Sequence, residues 1–456
     1  MIQDKRAIFK QWLESGEARL LPLTLPQREL WENSPVPVAA AANHICGFIE
    51  IKGAITFDQC RDALDRVVAR HEALRTSFLP GKERPLQMVR ITGTANLLFR
   101  DLSSQAITPD ELEAIMRLTF LAPLDLMQGP LHLVEMIRLA DGHHLLAFSI
   151  HHAIADGWSL GVFVQDLCTA YLLGVRGRPS SPHGGLAPVP QTYAEWSAVD
   201  RAFWQAADLT ARTAFWRKHL ADSRPVFAPT EETPAETGPL DRWTSAILPQ
   251  LTQLVRDFSK RTGTTLFSTL LSGFQLTLSL RAGVSDILTG SPVANRTRET
   301  CWQTMGYFAG VVPIRSLVDS ALTFAERARS VHATAMDCFA NAMPFAELAA
   351  AVGPHSPHRR HTIFDVRFAL QNHPVPDVNL PGITSQLRMR STGTARFDLG
   401  CEITEDGAEL EVVWLYRPRA LASAGPLELH TLFLDVLSYA CRHPDSAVST
   451  FPPAAP

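Results

Sequence analysis

The chain has 456 residues, 46% of them hydrophobic, and 42 basic against 46 acidic residues give a net charge of −4. That length and apolar content can bury a large core and suggest two domains or lobes, while the balanced charge supplies no basic field for nucleic acid and no acidic tail. Seven cysteines (Cys46, Cys60, Cys168, Cys301, Cys338, Cys401 and Cys441), odd in number and without a C-x-x-C pair, indicate neither a zinc site nor a disulfide framework and are expected to be reduced thiols in the cytoplasm.

The N-terminus, Met1 to Arg19, mixes charges with Phe9, Trp12 and Leu13 and has no apolar leader core. No run in the chain reads as long enough to cross a bilayer, so no membrane partner is expected. After a short amphipathic helix, residues 21–31 open with two prolines and enter a helix at Pro26, a residue suited to a first helical turn. Residues 43–51 alternate like a strand. Residues 57–74 carry Cys60, Leu64, Val67, Val68 and Leu74 on one helical face. Strands are predicted at 86–89 and 97–101 and a helix at 109–118. A hairpin then follows, with 131–139 and 145–150 as strands around the turn Ala140-Asp141-Gly142-His143.

The hairpin exits into His151-His152-Ala153-Ile154-Ala155-Asp156-Gly157-Trp158-Ser159, which joins two histidines, an acid four residues past the second, a turn glycine and a helix start in one segment. A helix over 159–173 follows, with Ser159 as its predicted N-cap. Residues 174–191, rich in glycine and proline, read as a boundary. The second half opens with a Trp-rich helical stretch from Tyr193 to Lys218 and an acid, Thr and Pro loop at 231–239. Two helices broken at Gly263 span 248–280. Strands are predicted at 286–292, 306–314, 364–370, 397–403 and 410–415, with helices over 323–339 and 427–442. Mixed elements with many hairpins make this an α+β fold rather than a doubly wound sheet. The expected division is a first lobe at 1–176, a linker at 177–190, a second lobe at 191–445 and a tail at 446–456.

Adjacent strand residues face opposite ways, so His151 and His152 take different roles. His152 is the candidate general base, because an imidazole titrates near neutral pH; His151 is assigned to structure. Asp156 is expected to fix the loop through an ion pair, since a buried unpaired carboxylate costs several kcal/mol. Gly157-Trp158-Ser159-Leu160-Gly161 matches a nucleophile elbow, but eight residues separate Ile150 from Ser159 and the preceding strand is hairpin-connected, which argues against a serine hydrolase. His143-His144 belongs to the hairpin turn, and the basic, histidine-rich loop at 355–361 reads as solvated rather than metal-binding. No H-E-x-x-H, Walker or dinucleotide glycine signature occurs, so neither a metal nor an intrinsic cofactor is expected.

His151-His152-Ala153-Ile154-Ala155-Asp156-Gly157 resembles, in every fixed position, the HHxxxDG motif of the condensation domains of nonribosomal peptide synthetases, which belong to the chloramphenicol-acetyltransferase-like superfamily. Five further stretches are similar to the family's other motifs in the expected order: Thr24 to Trp31, Arg70 to Phe78, Tyr193 to Trp196, Gly306 to Arg315 and Met343 to Glu347. The chain departs from the usual pattern at Ala309-Gly310, where Val-Asn is common, and lacks the acid usually found before Pro344. The intact histidine pair separates it from heterocyclising members, and no second histidine motif of dual condensation/epimerisation members is present.

The resemblance implies two acetyltransferase-like lobes in a V-shaped pseudo-dimer, monomeric, with a central tunnel open at both faces. Donor and acceptor carrier proteins would reach the tunnel on phosphopantetheine arms, alongside adjacent synthetase domains, or an acyl-CoA would serve as donor. Arg296 would pair with Asp156, and Trp158, Ser159, Gly306 and Tyr307 would line the tunnel. The reaction implied is attack of an aminoacyl amine on an acyl or peptidyl thioester, with His152 removing the amine proton or orienting the amine and the Gly157 backbone stabilising the oxyanion. A start only a short helix ahead of the first motif fits a domain at the start of a synthetase, taking its acyl group from a separate upstream carrier or as a starter domain from a fatty acyl donor, or a free-standing enzyme, whereas Pro452 to Pro456 resembles the beginning of a linker. A free-standing ester-forming enzyme and a non-catalytic interface domain are the alternatives.

Overall fold

Apolar alternation on either side of an Asp141-Gly142 turn, with Gly142 at φ 69°, closes the hairpin that carries the histidines. The computed structural model describes residues 2–32, 37–177, 185–227, 240–353, 363–371, 379–380, 382–390, 392, 397–421 and 425–452. The loops predicted at 231–239 and 355–361, part of the linker (178–184) and the chain end after residue 452 lie outside the described residues.

The first half contains α1 (Ile2–Glu14), β1 (Ala18–Pro22), α2 (Leu25–Glu32), β2 (His44–Lys52), α3 (Phe57–Arg70), β3 (Thr76–Leu79), β4 (Leu86–Arg90), β5 (Leu97–Asp101), α4 (Pro109–Phe120), β6 (His132–Ala140), β7 (His143–His151) and α5 (Gly157–Val175). The second half contains α6 (Tyr193–Ala206), α7 (Thr210–His219), β8 (Asp241–Ile247), α8 (Pro249–Thr262), α9 (Leu266–Ala282), β9 (Asp286–Val293), β10 (Gly310–Leu317), α10 (Phe324–Ala340), α11 (Phe345–Val352), β11 (Val366–Gln371), β12 (Asn379–Leu380), β13 (Ile383–Arg390), β14 (Leu399–Asp406), β15 (Glu409–Tyr416) and α12 (Pro426–Arg442).

Two six-stranded sheets result, ordered β12-β13-β2-β7-β6-β5 and β10-β9-β11-β14-β15-β8, with a small third sheet β1-β4-β3. The mixed parallel and antiparallel pairing agrees with the α+β expectation. Each large sheet covers its own apolar core. The first core also takes in Met305, Tyr307 and Ile383 from the second half of the chain. β13 lies antiparallel to β2, with Gln386 opposite Glu50. A Cβ on Gly47 would sit 2.6 Å from the Arg388 carbonyl oxygen, so bare backbone at this point lets β13 approach.

Four local expectations are corrected. The helix from residue 57 ends at Arg70, not 74, because Arg70 and His71 both turn onto Asp166 and a 3-10 turn (Glu72–Arg75) follows. The strand expected from Gly306 begins at Gly310, because the Phe308 and Ala309 N–H groups donate to Asp156 instead of a neighbouring strand. β1, β3, β8, β12 and β13 are strands the periodicity did not reveal; β13 reads ITSQLRMR, mostly polar, and is a strand because β2 offers it a partner far away in sequence. Finally, α5 has the length and apolar composition to cross a bilayer. Here it packs against α3, with Phe163 against Phe148 of β7 and its one acid, Asp166, buried.

Candidate active site

β7, flanked by β2 and β6, delivers the two histidines, and their side chains diverge as strand pleating requires. His151 is completely buried beside His44, with ring centroids 5.7 Å apart. Its Nδ1 accepts the Ala153 N–H at 3.0 Å, so Nε2 carries the hydrogen and donates to the Val38 carbonyl at 2.8 Å. His152 is half-buried and begins a 3-10 turn (His152–Ile154). A carbonyl can only accept, so the 3.1 Å contact to Ala155 fixes the hydrogen on Nδ1 and leaves the basic lone pair on Nε2. The ring meets Tyr307 edge-on, with centroids 5.5 Å apart.

Asp156, not Ser159, caps α5: its Oδ1 accepts the Ser159 N–H at 2.9 Å. The same oxygen accepts from Arg296 Nη2 at 3.1 Å, while Oδ2 accepts the N–H groups of Phe308 at 3.0 Å and Ala309 at 3.3 Å. Arg296 also donates through Nη1 to the carbonyls of Cys301 and Thr304, both at 2.7 Å, and its guanidinium lies 3.8 Å from the Phe308 ring centroid. The buried carboxylate and the two terminal nitrogens of the buried guanidinium are thus paired with each other and with backbone across the two halves of the chain, which is what lets such a pair be tolerated.

The residues expected to line a tunnel separate into two groups. Ser159 is completely buried in the Asp156 lock: Oγ accepts from Arg296 Nη2 at 3.0 Å and from Gly306 N–H at 3.1 Å, and its hydrogen lies between Asp156 Oδ1 and the Gly306 carbonyl. That arrangement places it neither on a tunnel wall nor on an elbow. Gly306 is buried too, and a Cβ there would come within 2.4 Å of the Tyr193 ring. Trp158 is half-buried and donates to the Trp302 carbonyl at 2.9 Å. Tyr307 is buried but presents its ring to His152. Gly157 opens α5, where the first N–H groups have no intrahelical acceptor.

Further buried residues hold the site and escaped the sequence reading. Asp166 on α5 receives Arg70 and His71; His71 Nδ1 accepts the Met305 N–H at 3.4 Å, so Nε2 donates to Asp166 Oδ2 at 2.6 Å. Burial holds His71 below the usual histidine range, in keeping with that neutral form. Tyr193 donates to the Tyr307 carbonyl at 2.7 Å and lies 3.0 Å from Thr24 Oγ1, and burial raises its phenol above the ordinary tyrosine range. Gln27 Nε2 donates to the Ala153 carbonyl at 2.9 Å. One signal was available: Thr24-Leu25-Pro26-Gln27 has the spacing of a capping box, and the two residues do bond reciprocally, at 2.9 and 3.2 Å.

Two six-stranded sheets, the first completed by β12 and β13 from the second half of the chain, form a chloramphenicol-acetyltransferase-like fold with a histidine at a hairpin end. The chain belongs to the condensation domain family, whose model, described as Condensation domain, matches residues 17–453. It is 30% identical to a linear gramicidin synthase of Brevibacillus parabrevis over 97% of this chain and 9% of that protein. It is 27% identical to malpibaldin synthetase of Mortierella alpina over 91% of this chain and 8% of that one. The chain thus spans under a tenth of these relatives. Among solved structures, the first condensation domain of the calcium-dependent antibiotic synthetase superposes with a TM-score of 0.79 at 20% identity, covering 95% of this chain and 99% of that one. The X-domain from teicoplanin biosynthesis does so with 0.79 at 19%, covering 94% and 97%.

Proposed function

We propose that this domain forms an amide bond between an acyl or peptidyl thioester and the α-amine of a carrier-tethered amino acid, as an acyltransferase of nonribosomal peptide synthesis. The observation that carries the reading is His152, whose Nδ1 is committed to the Ala155 carbonyl and whose basic lone pair is therefore on Nε2. An α-amine has a pKa near about 8, so a fair fraction is already neutral and the thioester is already activated. Nε2 accepts a hydrogen bond from the amine, orients it, and receives its proton as nitrogen attacks the thioester carbon. The C–S bond then breaks, and the proton passes to the leaving thiolate. Positioning and general base catalysis share the work, the latter contributing about 10²–10⁴-fold. The Gly157 N–H at the start of α5 is the proposed oxyanion donor.

The substrates arrive on the phosphopantetheine arms of donor and acceptor carrier proteins, or from acyl-CoA on the donor side, with Trp158 and Tyr307 beside their path. The names of the relatives support carrier and synthetase-domain partners, and seven cysteines outside any disulfide support a reducing, cytoplasmic setting. Because the X-domain shares the fold and its complex with OxyB is a solved structure, the fold alone serves docking as well as chemistry.

The test is intact-mass detection of product on an aminoacyl carrier protein, using a panel of acyl-CoA and acyl-carrier donors. Amide product from the wild type, lowered by about tenfold or more in a folded His152→Ala, is expected. Turnover unchanged by His152→Ala rejects both the base and the orienting role. Ester product with an alcohol acceptor, and no amide, assigns the domain to ester formation instead.

A further inference from the structure

The turn that carries His152 is clamped from outside its own motif. Gln27, completely buried in the first turn of α2, accepts the Thr24 N–H on Oε1 at 2.9 Å, which fixes the amide orientation with the NH₂ group facing the turn. One of its hydrogens goes to the Ala153 carbonyl at 2.9 Å and the other to Gln87 Oε1 at 3.1 Å. Gln87, buried on β4, is itself held through Nε2 on the Pro22 carbonyl at 2.8 Å. From the other side, His151 Nδ1 accepts the Ala153 N–H at 3.0 Å. Both peptide units of the residue next to His152 are therefore fixed by side chains, one from β7 and one from α2.

We infer that Gln27 is a positioning residue for His152, acting through the Ala153 carbonyl to hold the 3-10 turn in the form that keeps Nδ1 on Ala155 and the lone pair on Nε2. This rests on the reading of His152 as the group that handles the amine proton. Without a donor at position 27, the Ala153 carbonyl and Gln87 Oε1 become buried acceptors lacking donors, an arrangement the turn relieves by moving. His152 moves with it.

The experiment compares wild type, Gln27→Met, His152→Ala and the double variant, with octanoyl-CoA and an octanoyl carrier protein as donors and a leucyl carrier protein as acceptor. Gln27→Met is expected to lower kcat by roughly ten- to a hundredfold with KM for the acceptor within about twofold, because misplacement of a catalytic group acts on the chemical step. The double variant is expected to be no slower than His152→Ala alone. Gln27→Glu, whose protonated carboxyl can still donate to Ala153, should recover activity relative to Gln27→Met as pH is lowered. Gln27→Met matching wild type, or losses that multiply in the double variant, would overturn the inference. Ring ¹⁵N NMR shifts of His152 read the clamp without turnover: Nδ1-protonated in wild type and mixed between tautomers in Gln27→Met is expected, and identical spectra reject it. A wild type that makes no product while the spectra differ rejects the amide-forming reading alone.

Discussion

In the first lobe, hairpin β6–β7 runs into a 3-10 turn and helix α5; in the second, hairpin β14–β15 runs into a 3-10 turn at Pro418–Ala420 and helix α12. The frame is repeated, but the strands end differently. β7 ends at His151, with His152 opening the turn, whereas β15 ends in Tyr416 and is followed by Arg417, whose guanidinium pairs with Asp398 at 3.2 Å and whose N–H donates to the Asp398 carbonyl at 2.9 Å. The second corner closes its charge inside its own lobe. The first sends its carboxylate across to Arg296, Phe308 and Ala309 of the other half. A duplicated backbone corner thus becomes a site where the strand end supplies an imidazole and the turn is fixed by groups distant in sequence.

The largest expected effect tests that difference in closure. Asp156→Ala strands a buried guanidinium and should cost about 3–5 kcal/mol, against about 1–3 kcal/mol for Arg417→Ala, which leaves one partly hydrated carboxylate. Chemical denaturation of both variants decides the matter, and equal losses would remove the energetic distinction between the corners.

Next comes pH, because each lobe encloses a histidine that burial pushes down to about 4: His132 in the first and His219 in the second. The unfolded chain takes up protons near pH 6.5 that the folded chain refuses until about pH 4, so stability is full above pH 6.5 and falls as pH drops through that window. For His132 the loss is on the order of 3 kcal/mol. Urea midpoints at pH 7 and pH 5 should converge in His132→Gln relative to wild type; an unchanged gap would mean that His132 is protonated in the folded state.

The smallest effect concerns the strand that the second half lends to the first sheet. Gly47→Ala places a Cβ against the Arg388 carbonyl and should cost about 1–3 kcal/mol. Amide exchange should quicken along β13 and β2 while β14 and β15 stay protected; uniform exchange would show that β13 is not independently displaceable.

Much of this was legible in the chain itself. Apolar spacing located the hairpin, α3, α9 and α12, and the concentration of His151, His152 and Asp156 at one strand exit marked the site, because short-range patterning and turn chemistry decide local structure. The resemblance added Arg296 as the partner of Asp156, and the two are 3.1 Å apart. What only the tertiary structure decided lies in contacts between residues far apart in sequence. Ser159 became part of the lock because Gly306 and Arg296 reach it, β13 became a strand because β2 offered an edge, and Gln27 became a neighbour of Ala153 because α2 packs beneath the turn. No local pattern records such pairings, since the hydrogen bonds that satisfy a buried polar group are set by which segments packing brings together, not by their spacing along the chain.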